Sequence, residues 1–421
     1  MIAKVPPSRG TGVSGMQMKK IAQFGLAACL LLMVTAVGIP NPQEKQYKDR
    51  AEYDIITKVY GEADPAKKLA LLNEWREKYP ETDYSLERDR FYLDSYQKTN
   101  NTTEAINAAK RVLAASPNEF TAHYVITLSV PYMGKADDAT IGDGLTAAGA
   151  VLNLVDQQFA AKPDGIAQAA WDNAKQQAVV NARLTLGWCK MQQKDNSGAA
   201  NEFEQVLSLD PSRGQVSYWL GQMTLNEQDA SKYDLAFFHF ARAATYDGPG
   251  SMPAEGRQQV LEYVQNLLKN NYGEQSFDTF WPKFEEMARA GAAPTERIEL
   301  KSDEEMKFEA EQESRRQLPT LWVFKDLKTT LLGPSGDATW SDLRGKLTPR
   351  MGLYVVSASP PERPATINLT SEPGGRTEVV LNLENRRRTG VRTGSLLTID
   401  GVASGLVREP FRLTLTDGHT F

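Results

Sequence analysis

The chain has 421 residues, of which 41% are hydrophobic and 24% charged, a balance that belongs to folded domains and excludes a disordered chain. A formal net charge of −5 argues against a dedicated nucleic-acid binder. With two cysteines, Cys29 in an apolar leader and Cys189 far from it, a disulfide framework is excluded as well.

Lys19 and Lys20 precede an apolar run from Ile21 to Ile39 that is interrupted only by Gln23 and Thr35. Basic flank, apolar stretch and the small residues Val34-Thr35-Ala36 read as a bacterial export signal, and the run is also long enough for an uncleaved anchor. Residues 1–38 are therefore expected to be a signal peptide or an N-terminal anchor. The mature chain is expected in the periplasm or associated with the envelope, held by residues 21–39 if the leader stays. Leu26-Ala27-Ala28-Cys29 has the letters of a lipoprotein cleavage box, but the apolar run continues beyond the cysteine instead of ending there.

Residues 43–291 read as helices throughout. Gln43 to Tyr60 predicts a polar helix with Ala51, Tyr53, Ile56 and Val59 on one side. Asp64-Pro65 then caps and starts a second helix through Leu69, Leu72 and Trp75 to Tyr79-Pro80. Phe120 to Pro163 is an alanine-rich helical section broken at Pro131 and Gly134, and a long helix leads from Asp164 to Leu186-Gly187. From there one pattern occurs twice. Leu186-Gly187, Ala199, Phe203 and Pro211 are followed by Leu220-Gly221, Ala236, Phe240 and Ala243 before Gly248-Pro249, with three extra residues placed in the turn around Asp229. The glycine and alanine let two helices cross closely, the phenylalanine fills the space beside them, and the proline ends the second helix. Tyr96, Ala105 and Pro117 form a weaker version in which Tyr92-Leu93 replaces Leu-Gly. Prolines at 80, 117, 163, 211 and 249 punctuate the region.

On these residues the region resembles a tetratricopeptide-repeat solenoid, padded beyond the usual period of about 34 residues. It departs from the pattern at the first-helix tryptophan, where Asp89, Arg183 and Ser217 stand, and at the tyrosine, where Lys190 and Thr224 stand. The resemblance implies a concave groove, lined by first helices, that takes a partner peptide or helix. The positions it implies are Arg90, Asp94 and Lys98, then Asn181, Trp188 and Gln192, then Gln215, Tyr218, Gln222 and Asn226. The Lys/Asn arrangement that clamps a C-terminal carboxylate in some members is missing.

Past Ser276, Phe277, Phe280, Trp281 and Phe284 at helical spacing are expected to cap the array. Residues 292–345 read as a helical linker. In it Ser302-x-x-Glu305 opens a charged helix to Gln317, and Pro319 starts another, through Leu321, Trp322, Phe324, Leu327 and Leu331, that stops at Gly333-Pro334. In residues 346–421 the hydrophobic period changes to two. Five strands are predicted at Leu353 to Ser357, Thr366 to Ser371, Thr377 to Leu383, Ser395 to Ala403 and Phe411 to Thr416, making a small all-β domain, an OB-like barrel or a sandwich. From 345 onward ten Lys/Arg face seven Asp/Glu. Arg386, Arg387, Arg388 and Arg392, on one turn, are candidates for holding phosphate or carboxylate.

Catalytic motifs are missing. His123, His239 and His419 fall in different modules, and no zinc, nucleophile-elbow or phosphate-loop pattern occurs in the mature chain. The expectation is a non-enzyme without metal or cofactor: a mainly α solenoid and a small β-domain acting as a protein-binding adaptor in the envelope. The alternative is an envelope glycan or polyanion binder that reads its ligand with the β-domain. Nucleic acid is not an expected partner.

Overall fold

A computed structural model describes residues 45–133, 137–291, 293–387 and 390–421. The leader, its cleavage or anchorage, Gly134 and Arg388 lie outside the described residues. The chain forms two compact units, one running to Ser302 and the other covering Asp303–Phe421.

The first unit holds twelve of the fifteen described α-helices: α1 (Arg50–Gly61), α2 (Pro65–Lys78), α3 (Ser85–Lys98), α4 (Thr102–Ala115), α5 (Phe120–Ser129), α6 (Asp138–Gln158), α7 (Gln168–Gln192), α8 (Asn196–Leu209), α9 (Gly214–Asn226), α10 (Tyr233–Thr245), α11 (Ala254–Tyr272) and α12 (Glu274–Ala290). Each packs against its neighbours in sequence, so the unit is built from consecutive helix pairs. The first helix begins later than its composition suggests, because the Asp49 carboxylate accepts from Glu52 N and fixes the start at Arg50. Its buried side carries Glu52, Ile55, Ile56 and Val59. Tyr53 is turned to the surface, a correction to the side expected for it.

Two crossings follow from glycine. A Cβ on Gly187 would lie 2.6 Å from Phe203 Cε1, and one on Gly221 would lie 3.1 Å from Phe240 Cδ1 and from the Ala236 carbonyl oxygen. Both phenylalanines are fully buried. The turns inside three pairs share a second feature. Asn100, Lys194 and Gln228 all have positive φ, at 55°, 63° and 56°. Each is followed by an Asx residue whose side chain accepts from the backbone ahead: Asn101 from Glu104 N, Asp195 from Gly198 N and Asp229 from Ser231 N. A left-handed residue ends one helix and the capping oxygen satisfies an orphan donor of the next. The extra residues of the third turn form a 3₁₀ turn, Ala230–Lys232.

Polar contacts join the pairs. Asp89 accepts from Arg76 Nη2 at 2.9 Å and Arg111 Nε at 2.7 Å, tying α2, α3 and α4. Glu202 accepts from Arg183 at 3.0 Å and Lys190 at 2.9 Å, tying α7 to α8. The aromatic residues expected to cap the array lie on α12: Phe280, Trp281 and Phe284 are buried, and half-buried Phe277 stacks on Trp281. After α12 an extended stretch returns over α10. There Asp234, 7% exposed, accepts from the Arg297 guanidinium and, at 3.2 Å, from Ile298 N.

The second unit contains α13 (Asp303–Gln317), α14 (Pro319–Leu332), α15 (Gly336–Leu343) and strands β1 (Met351–Ser359), β2 (Thr366–Thr370), β3 (Val379–Leu383), β4 (Leu396–Arg408) and β5 (Phe411–Thr420). The strands close into a barrel in the order β1-β2-β3-β5-β4, with β4 returning to β1. All pairs are antiparallel except β3 with β5. Leu353, Val355, Ile367, Leu381, Leu413 and Leu415 fill the interior. Of the sandwich and barrel expected, the barrel forms. Strand β4 runs past Ala403, where it was expected to end, because register shifts near Gly401 and Gly405 let it bend with the closing sheet. The segment expected as a linker is not one from Asp303 onward. Phe324 and Leu331 on α14 are fully buried in the barrel core, and Gly352 lets that helix sit against β1, since a Cβ there would be 2.6 Å from Thr320 Oγ1.

Candidate functional site

The positions expected to face a partner divide into three groups. Arg90, Lys98 and Gln192 are exposed, and Asp94, Asn181, Gln215, Gln222 and Asn226 are half-buried. Trp188 and Tyr218 are each 4% exposed. This corrects their assignment as contact residues. Trp188 lies in a core cluster with Val130, Ile141 and Cys189, and Tyr218 packs beside Phe240 with centroids 6.0 Å apart. Burial pushes the Tyr218 hydroxyl up to about 12, and its oxygen accepts from Gln222 Nε2 at 2.6 Å. Burial likewise takes the Cys189 thiol to about 12, so that it stays an inert small apolar group.

Two of the remaining positions, Arg90 and Asn181, are held by bonds that run from one helix pair to the next, and Arg213 makes a third bond of that kind. Arg90 on α3 donates to Glu119, the residue before α5, at 2.6 Å. Asn181 on α7 donates to Tyr124 Oη on α5 at 2.9 Å. Arg213, before α9, donates to Gln177 on α7 at 2.8 Å. The first helices α3, α5, α7 and α9 are thus stitched along one edge, while Lys98 and Asp94, paired at 2.8 Å within α3, remain accessible. Asn226 belongs to an open polar depression between two turns, with Lys194, Asp195, Ser197 and Glu227.

An aromatic group lies on α1 and α3. Tyr53 and Tyr60 are seven residues apart on one face of α1 and are 38% and 60% exposed. Tyr60 meets Phe91 edge-on at 4.8 Å, and Lys68 Nζ lies 5.3 Å from the Phe91 centroid. Phe91 stands between Arg90 and Asp94 in sequence, so aromatic and polar positions adjoin. The i, i+7 spacing of the tyrosines was the available signal for this group.

In the barrel unit Arg386 and Arg392 are exposed and Arg387 is half-buried. His419 on β5 has Asp400 Oδ1 2.9 Å from Nδ1 and Glu384 Oε2 3.1 Å from Nε2. Hydrogen bonding to these two carboxylates, Asp400 first, raises its pKa. Among the described residues no group of three or more His, Cys, Asp or Glu side chains is arranged to hold a metal, and no helix is long and apolar enough to cross a membrane. No family model matches the chain, and no curated protein is similar to it.

Proposed function

We propose that the first unit is a tetratricopeptide-type repeat array and that it works as a non-catalytic adaptor in the bacterial envelope, taking a partner peptide or helix along its first helices. The observation that carries this reading is the recurrence of one backbone device in helix pairs of different sequence. A positive-φ residue followed by a capping Asx occurs at Asn100-Asn101, Lys194-Asp195 and Gln228-Asp229, and a glycine meets a buried phenylalanine at Gly187 and Gly221. Repeats of this kind hold their surface rigid by stacking, so a partner binds without first ordering the protein. The contact positions in this reading are Arg90, Asp94, Lys98, Gln192 and Gln222, extended by Tyr53 and Tyr60. Trp188 and Tyr218 are left to the core. The barrel, with its β1-β2-β3-β5-β4 order and parallel β3–β5 pair, is read as the OB type. Export rests on the basic and apolar pattern of residues 19–39.

The test is photo-crosslinking in cells, with the crosslinker placed at Tyr60, Lys98 or Gln222 and, as a control, at exposed Glu204 on α8. Discrete protein adducts from the first three sites and none from Glu204 are expected. Equal labelling from all four sites would sink the adaptor reading.

A further inference from the structure

The loop after β1 and the loop after β3 lie side by side at one end of the barrel. Leu383 N donates to Ala365 O at 2.9 Å, and Arg387 N donates to Pro364 O at 3.1 Å. Gly390 is so close to the first loop that a Cβ there would lie 2.7 Å from the Pro361 carbonyl oxygen. This pairing brings Arg363, which is isolated in sequence, to the loop that carries Arg386, Arg387 and Arg392.

Arginines elsewhere in the chain are mostly spoken for. Arg76 and Arg111 share Asp89, Arg183 has Glu202, Arg213 has Asp210 and Arg315 has Asp326. The four loop guanidinium groups have no such partner among the described residues. Of the two carboxylates that border the loops, Glu384 is engaged by His419, and Glu362 is exposed. One donor makes the deficit sharper. Arg387 Nη1 is shielded from solvent and has no hydrogen-bond acceptor among the described residues. A guanidinium N–H removed from water without an acceptor is costly, and an anion would supply the acceptor.

We propose that Arg363, Arg386, Arg387 and Arg392 form a binding site for a phosphate group. A tetrahedral phosphate offers three or four oxygens to several guanidinium forks at once, whereas a carboxylate offers two. No aromatic residue occurs in Pro360 to Ala365 or Glu384 to Ser395, so the loops cannot stack a base or a sugar ring. The phosphate itself is what they recognise, whether it belongs to a soluble phosphate ester or to a lipid headgroup.

The experiment uses the full chain, isotope-labelled, titrated with inorganic phosphate at constant ionic strength and followed by backbone amide shifts. Saturable shifts confined to residues 361–365, 385–387 and 390–395 are expected. Arg387→Ala should weaken binding about tenfold or more, and Arg387→Lys, which keeps the charge but loses the fork, should fall between. Arg363→Ala provides the same readout from an exposed side chain whose loss leaves the fold unchanged. Glycerol phosphate, and phosphatidylglycerol vesicles against phosphatidylcholine vesicles, separate the sources. Vesicle binding displaced by free phosphate assigns the site to a headgroup, and saturation by the soluble probes alone assigns it to a soluble ester. Shifts that sodium chloride reproduces, or that survive in the Arg363→Ala/Arg387→Ala double variant, overturn the proposal.

Discussion

The two glycine crossings make a paired prediction. In Gly187→Ala the new Cβ would stand 2.6, 2.8 and 3.1 Å from three carbons of the Phe203 ring. Carbon atoms in contact prefer about 3.5–4.0 Å, so the nearest overlap is about 1 Å. The Phe203 ring is wholly buried, and relief requires the two helices to part or the ring to leave its rotamer. Overpacking of this kind costs about 1–3 kcal/mol. An overlap of about 1 Å against a wholly buried ring places the cost in the upper part of that range, about 2–3 kcal/mol, and alanine recovers about 1 kcal/mol of helix propensity relative to glycine, which leaves a net loss of about 1–2 kcal/mol. For Gly221→Ala the nearest atoms are at 3.1 Å, a misfit of a few tenths of an ångström, and the propensity gain brings the net change to within about 0.5 kcal/mol of zero. Urea unfolding of both variants, followed by far-ultraviolet circular dichroism, gives the comparison. If Gly187→Ala is as stable as wild type, or if the two variants lose stability equally, the close crossing at Phe203 is not what selects glycine.

Two further outcomes follow from named contacts. Asp234→Asn should release the stretch anchored by Arg297 and Ile298; with Arg297 largely exposed, the loss is about 1–2 kcal/mol of local anchoring, so trypsin should cut after Arg297 about tenfold faster. Unchanged cleavage there would show that Asp234 does not hold the stretch. Because the folded His419 pKa lies above its ordinary value, its contribution to barrel stability is present below that value and is lost as pH rises through the folded pKa. The melting-temperature advantage of wild type over His419→Gln should therefore be larger at about pH 5.5 than at about pH 8.5, and the opposite order would contradict the assigned carboxylate contacts.

How far the sequence could be read depended on how local each cause was. Gly187, Ala199 and Phe203 are legible because small and large residues at helical spacing meet within one helix pair. The five strands are legible because Phe411, Leu413 and Leu415 alternate with polar residues on a sheet with one dry face. Trp188 was misassigned because its burial depends on Val130 and Ile141, which lie more than forty residues earlier. The apolar edge of α14 was visible, but its partner, the barrel interior, was not. Arg363 gave no signal at all, since only the pairing of β2 with β3 brings its loop beside Arg387.

Closure of the barrel also sets an order of events during folding. Helix pairs of the first unit are made of neighbours in sequence and can form independently of one another. The barrel cannot follow that course, because β5 supplies the partner for both β3 and β4. Until Phe411–Thr420 is in place, two strand edges stay unsatisfied, and that interval is when this chain is most exposed to pairing with another copy of itself.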